Sequence, residues 1–76
     1  MDNVNTKFIK INSINDILEF VKKASNIEGD VDVKKGKYIV DAKSPMGMFS
    51  IDCSKGCIVS YPASEKDFDE YLNKFI

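Results

Sequence analysis

The stretch that decides the fold is Lys37–Ser50, KYIVDAKSPMGMFS, which contains a strand followed directly by a short helix. Lys37–Ala42 is extended in character, with a β-branched pair at its centre. Ser44 stands where a helix N-cap belongs, and Pro45 takes the first helical position, where its missing N–H removes no hydrogen bond. Gly47 weakens a helix interior, so we expect a helix of only one or two turns.

The residues before this stretch predict a partner strand. Val31 and Val33 alternate with charged residues, and Gly36 then supplies the positive φ that a tight hairpin needs. The two extended runs should therefore pair antiparallel.

The N-terminal third predicts a strand and a helix. Lys7–Ile11 alternates and is followed by Asn12 and Ser13, which suits a strand ending in a turn. Ser13 with Asp16 three positions later matches a capping box that has Asp in place of the usual Glu. One apolar stripe at helical spacing follows: Ile14, Ile17, Leu18, Val21 and Ala24.

The C-terminal third predicts a further strand and helix. Cys57–Tyr61 is a strand that Pro62 ends, and Ser64 is the expected N-cap of the last helix. The apolar stripe of that helix comprises Phe68, Tyr71, Leu72 and Phe75. The order β-α-β-β-α-β-α predicts one α+β domain over residues 1–76, an open-faced β-sandwich in which helices cover one face of a four-stranded antiparallel sheet.

The amino-acid composition excludes several classes of function. The 76 residues are 43% hydrophobic and 30% charged, with a net charge of −1, so the basic excess needed to bind nucleic acid is missing. Histidine is absent, which removes the commonest general acid/base and metal ligand. No export signal or apolar run of about 20 residues occurs. We therefore expect a cytoplasmic protein that binds neither nucleic acid nor a membrane.

Two cysteines, Cys53 and Cys57, are too few to staple a secreted miniprotein, so we expect thiols in a reducing compartment. A zinc site needs about four ligands, and Asp52 is the one further candidate close by. The sequence therefore predicts neither a metal site nor a cofactor.

Val40–Ser50, VDAKSPMGMFS, resembles the strand, regulatory serine and short second helix of the HPr phosphocarrier family of the bacterial phosphotransferase system. Phe20–Ser25, FVKKAS, is similar to the end of that family's first helix. Weaker similarity continues through Ser54–Gly56 and the final strand and helix, so the resemblance covers most of the chain from about Phe8 onward.

The departure lies at the family's phosphoaccepting histidine, which begins the first helix with an arginine beside it. Alignment places Ser13 at the histidine position, Asn15 at that of the arginine, and Asp16 at that of a proline. A serine phosphoester is far more stable than the labile P–N bond of phosphohistidine, and Asn15 brings no charge to stabilise a phosphoryl group. Asp16 is either a capping-box carboxylate or an acceptor that would form an acyl phosphate.

The resemblance implies two further roles. The family's serine at the position of Ser44 is phosphorylated by a dedicated kinase, and the phosphorylated form docks on a transcription regulator. The family's short second helix presents an apolar patch to partner enzymes, which here corresponds to Pro45, Met46, Met48 and Phe49. Ile14, at the start of the first helix, would extend that patch. On the residues alone, Ser44 can equally be read as a plain N-cap, which is the commoner role of such a serine, and the methionines can belong to the core.

We therefore expect a non-catalytic, HPr-like regulatory or adaptor module. Its partners would be a phosphotransferase-system enzyme, a kinase or a transcription regulator. The alternative is a structural or self-association domain that kept the fold and lost the pathway, as a monomer or weak dimer. A phosphotransfer protein that uses Asp16 or a thiol is a third hypothesis.

Overall fold

A computed structural model describes residues 3–76 and confirms the predicted element order. The elements are β1 (Val4–Ile9), α1 (Ile14–Ser25), β2 (Asp32–Lys35), β3 (Tyr38–Asp41), α2 (Pro45–Ser50), β4 (Cys57–Pro62) and α3 (Lys66–Leu72), which continues as a 3₁₀ turn (Asn73–Phe75). The fold is α+β, as the sequence predicts.

The four strands form one antiparallel sheet in the order β1-β4-β2-β3. The β2–β3 hairpin has the two-residue turn Gly36-Lys37, and Gly36 has a φ of 59°, as its position in the sequence predicts. Strands β1 and β3 are the two edges of the sheet. Phe8, Ile58, Lys34 and Ile39 stand in register as one row across the face that no helix covers.

The core lies between the other face of the sheet and the helices. The strands contribute Ile9, Val33, Val59 and Tyr61, and the helices contribute Phe20, Val21, Ala24, Met48, Phe68 and Leu72. Each of these side chains is at most 7% exposed. Apolar burial on one sheet face is the main stabilising contribution expected for so small a domain.

The buried stripe of α1 differs from the predicted one. Ile14 is 65% exposed and Leu18 is 48% exposed, whereas Phe20, which the predicted stripe omits, is fully buried. Helical spacing places Phe20 beside Val21 and Ala24 on the face toward the sheet. The stripe is therefore rotated away from Ile14 and Leu18.

The ends of two elements also differ from the predictions. Strand β1 is Val4–Ile9 instead of Lys7–Ile11, although Ile11 is still buried, and its N–H donates to the carbonyl of Cys53 at 3.0 Å. The prediction that Ser64 caps α3 is wrong. Glu65 occupies the N-cap position without a side-chain bond, because the chain leaves Pro62 through a turn that includes Ser64.

The prediction of free thiols is also corrected, since Cys53 and Cys57 form a disulfide with their Cα atoms 5.2 Å apart. The disulfide closes the turn at Lys55-Gly56, which leads into β4. Within residues 3–76, no helix is long and apolar enough to cross a bilayer. The same residues contain no cluster of three or more His, Cys, Asp or Glu side chains suited to a metal ion.

Candidate functional site

The start of α2 is fixed by Ser44, as the sequence predicts. Ser44 has extended backbone angles, its Oγ accepts a hydrogen bond from the Gly47 N–H at 3.1 Å, and its carbonyl accepts from the Met48 N–H at 3.0 Å. Pro45 follows at the first helical position. The hydroxyl of Ser44 is therefore an N-cap, and its side chain is half-buried.

Helix α2 has one buried anchor. Met48 is 1% exposed and belongs to the core, where it is one of the largest fully buried side chains. The expectation that Met48 contributes to a partner surface is corrected on this point. A six-residue helix can turn only a narrow face inward, and Met48 takes that place.

The other apolar side chains of α2 face solvent. Met46 is 83% exposed, Phe49 is 49% exposed, and Pro45 is exposed as well. We call Pro45, Met46 and Phe49 the α2 surface. Methionine is flexible and polarisable and adapts to several partner shapes, so the α2 surface is the candidate docking site.

Ser13 caps the start of α1 as Ser44 caps α2, but with a longer hydrogen bond. The Oγ of Ser13 accepts from the Asp16 N–H at 3.4 Å, and the carbonyl of Ser13 accepts from the Ile17 N–H at 2.9 Å. Ile14 follows at the first helical position and is 65% exposed. Helices α1 and α2 pack against each other, so two serine-capped helices with exposed apolar first turns are neighbours.

The start of α1 is also the region that the sequence comparison equates with the family's histidine and arginine. Ser13 is an alcohol held as an N-cap, and Asn15 is exposed and uncharged. Within residues 3–76, Asp16 forms no ion pair. Among the described residues, no lysine therefore lies within ion-pairing distance of the Asp16 carboxylate, where a cation could stabilise a phosphoryl group.

A polar cluster lies elsewhere, between α3 and the sheet. The Tyr61 hydroxyl donates to Oδ1 of Asp69, and Lys7 Nζ lies 3.3 Å from the same carboxylate oxygen. The hydrogen bond from Tyr61, and then Lys7, lower the pKa of Asp69, whereas burial and the Asp69 carboxylate raise the pKa of Tyr61. The sequence did not predict this cluster because Tyr61 and Lys7 lie 8 and 62 residues from Asp69 along the chain. It ties α3 to β1 and β4 and is structural.

Comparison with protein families gives one match. Residues 15–76 match the family model PTS-HPr, described as the PTS HPr component phosphorylation site. The matched range begins two positions after Ser13, so Ser13 lies outside it. No curated protein sequence matches the chain.

Two solved structures share the fold. The phosphocarrier protein HPr from Bacillus anthracis superposes with a TM-score of 0.75 at 19% identity, over 99% of each chain. HPr-C-His from Thermoanaerobacter tengcongensis superposes with a TM-score of 0.68 at 27% identity, over 93% of this chain and 86% of that one. Since the family model spans well over half of the residues, the chain belongs to the HPr family.

Proposed function

We propose that this chain is a non-catalytic regulatory or adaptor module that binds protein partners through the α2 surface and does not carry phosphohistidine. Ser44 is its candidate phosphorylation switch. The observation that supports the proposal is the pairing of an HPr fold that contains no histidine with an exposed apolar α2 surface. HPr proteins are phosphocarriers rather than enzymes, and this chain would keep their partner contacts without their carrier chemistry.

The chemistry at Ser13 supports the loss of carrier function. A carrier must accept a phosphoryl group and pass it on, which requires a bond of high transfer potential. A phosphoserine at Ser13 would be too stable to pass the group on. The proposed module therefore takes no part in the phosphoryl relay.

The position of Ser44 supports a switch. A phosphate on its Oγ would add about 1.5 to 2 negative charges at the N-terminal end of α2, where the helix dipole favours negative charge. The added charge would lie next to Pro45 and close to Met46 in the chain, so it would change the polarity of the α2 surface. A kinase would phosphorylate Ser44, and a transcription regulator or a phosphotransferase-system enzyme would bind the phosphorylated form.

The first experiment tests for carrier function. Incubation with phosphoenolpyruvate and the general phosphotransferase enzyme should leave the chain unlabelled, whereas a histidine-containing HPr in a parallel reaction should be labelled. Stoichiometric labelling of this chain would overturn the proposal. Acid and base lability of the label would then show whether Asp16 or a serine had reacted.

The second experiment tests binding through the α2 surface. The isotopically labelled chain is titrated with the same phosphotransferase enzyme, and amide shifts are followed by NMR. Met46→Glu should weaken binding at least about tenfold, since it places a charge in an apolar contact. Thr6→Glu adds the same charge on the uncovered sheet face and should leave binding unchanged. Equal effects of the two variants, or no binding of the unmodified chain, would contradict the proposed surface.

A third comparison separates the switch from the cap. Ser44→Asn keeps a capping side chain without charge, and Ser44→Asp keeps the cap and adds a negative charge. If Ser44 is a switch, the Asp variant should change partner affinity and the Asn variant should not. Identical binding by both variants would leave Ser44 as an N-cap alone.

A further inference from the structure

The open edge of the sheet at β3 presents unpaired backbone. Lys35 and Tyr38 flank the two-residue hairpin turn and pair with each other, so the backbone groups of Tyr38 and Val40 face β2. Those of Ile39, between them, face outward. No turn, loop or cap hydrogen bond within residues 3–76 uses the N–H or the carbonyl of Ile39. Ile39 therefore offers one donor and one acceptor to another strand.

The side chains on this edge are large and exposed. Tyr38 is 73% exposed and Ile39 is 63% exposed, although strands usually protect an open edge with Pro, a bulge or a covering loop. A cleft of about 620 Å³ runs beside the strand, and its lining includes Val40, Ser50 and Ile51. The edge thus has an apolar side chain on each face of the sheet and space for another aromatic ring.

Charge at this edge is self-complementary. Lys37 precedes Ile39 by two residues, Asp41 follows it by two, and neither forms an ion pair within residues 3–76. If a two-fold axis passes beside Ile39, an antiparallel second copy places its Asp41 opposite Lys37 and its Lys37 opposite Asp41. The same register pairs Tyr38 with Val40, an aromatic and β-branched pair of the kind that stabilises sheets.

Other registers are less favourable. An axis at Val40 would place Lys37 opposite Lys43 and would pair Asp41 with Ile39. The carbonyl of Asp41 already accepts from the Ser44 N–H at 3.0 Å. Like charges directly opposite each other destabilise a strand pair. The charge pattern therefore selects the axis at Ile39.

We infer that β3 pairs with β3 of a second copy of this chain, antiparallel and centred on Ile39, to form a continuous eight-stranded sheet. Tyr38 of each copy then enters the cleft beside Val40 of the other. On the uncovered face, Ile39 of one copy then meets Ile39 of the other. The row of Phe8, Ile58, Lys34 and Ile39 is thereby joined to the same row of the second copy. Because β3 has only four residues, the interface is smaller than a standard one, and the dissociation constant should be roughly 0.1–1 mM.

The test is sedimentation velocity of the intact chain from 10 µM to about 1 mM, chosen to span that constant, with charge-exchange variants. Lys37→Asp and Asp41→Lys should each lower the association constant about tenfold, because two attractive pairs become repulsive. The double variant should recover it. An equimolar mixture of the two single variants should form a heterodimer, since each copy then meets its opposite charge at both pairs.

Lys22→Glu is the matched control. Like Lys37→Asp it changes the net charge from −1 to −3, but Lys22 is exposed on α1 and not on a strand, so association should stay almost unchanged. Circular dichroism of each variant confirms folding, and the Ile39 amide should exchange more slowly as concentration rises. A monomer at 1 mM would overturn the inference. A dimer that ignores the charge exchange, or single variants that do not associate when mixed, would overturn this interface.

Discussion

Helices α2 and α3 are held to the same sheet in opposite ways. Helix α3 has no side-chain cap, but Phe68 and Leu72 are buried and Asp69 is tied to Tyr61 and Lys7. Helix α2 has a serine cap and one buried side chain, Met48. Long-range packing at several points therefore holds α3, whereas α2 depends on one buried side chain together with the local bonding at its start.

The difference explains why α2 is the candidate docking element. A helix that is fixed by one buried side chain and its own cap can leave its other side chains free for another protein. A helix that is fixed by burial has no such surplus, because its apolar face is already in the core. The following predictions test this contrast, from the largest expected effect to the smallest.

Truncation of a buried side chain on α3 and of an exposed one on α2 should give the largest difference in the free energy of unfolding. Phe68 is 5% exposed, with its ring centroid 5.8 Å from that of Phe20 and 5.6 Å from that of Tyr61. Phe68→Ala should lower the free energy of unfolding by about 3–5 kcal/mol. Met46→Ala, on the α2 surface, should change it by less than about 0.5 kcal/mol. Urea unfolding measures both, and a similar loss in the two variants would contradict the contrast.

Removal of a serine hydroxyl should change the free energy of unfolding by a smaller amount, and here α2 should be the more sensitive helix. Ser44→Ala removes the hydrogen bond from the Gly47 N–H and should cost about 1 kcal/mol, whereas Ser44→Asn should be nearly neutral. Ser64→Ala is the matched control at α3, and it should stay within about 0.5 kcal/mol because Ser64 caps nothing. Equal losses at Ser44 and Ser64 would show that the cap does not hold α2.

Acid should weaken the attachment of α3 by a still smaller amount. The hydrogen bond from Tyr61, and then Lys7, hold the pKa of Asp69 below its unfolded value of about 3.9. The stabilising contribution of Asp69 is therefore present above about pH 4 and is lost as the pH falls through the folded pKa. The effect is modest because the side chain of Asp69 is 35% exposed and solvent screens it.

Unfolding of Asp69→Asn as a function of pH measures this contribution. The variant should lose stability at neutral pH and should depend less on pH than the unmodified chain below about pH 4. Asp67→Asn removes a carboxylate from the same helix that forms no ion pair within residues 3–76, and it serves as the control. Parallel pH profiles for all three proteins would contradict the role of Asp69.

Local signals in the sequence predicted much of this fold correctly. Ser44 with Pro45 predicted the start of α2, and Gly36 predicted the hairpin, because each acts through the backbone of its own segment. The features that were missed depend on contacts between distant segments. Phe20 is buried because of where α1 rests on the sheet, and the contact of Lys7 with Asp69 joins β1 to α3. The disulfide is the exception: Cys53 and Cys57 are only four residues apart, and the prediction of thiols rested on the cysteine count and the expected compartment.

The candidate site was predicted only in part, for the same reason. Met46 and Phe49 are exposed as expected, but spacing alone did not show that Met48 is the residue that turns inward. A short helix with three large apolar side chains has several orientations that bury one of them. The choice among these orientations depends on the sheet below, which the local sequence does not describe.

The turn before β4 sets a constraint between two positions that are distant in sequence. Gly56 has a φ of 125°, and the ring of Phe8 lies where any β-carbon at position 56 would stand. A side chain at position 56 would therefore need both a strained backbone and a smaller neighbour on β1. Among related sequences, positions 8 and 56 should covary, with residues larger than glycine at 56 confined to chains that have lost the aromatic ring at 8.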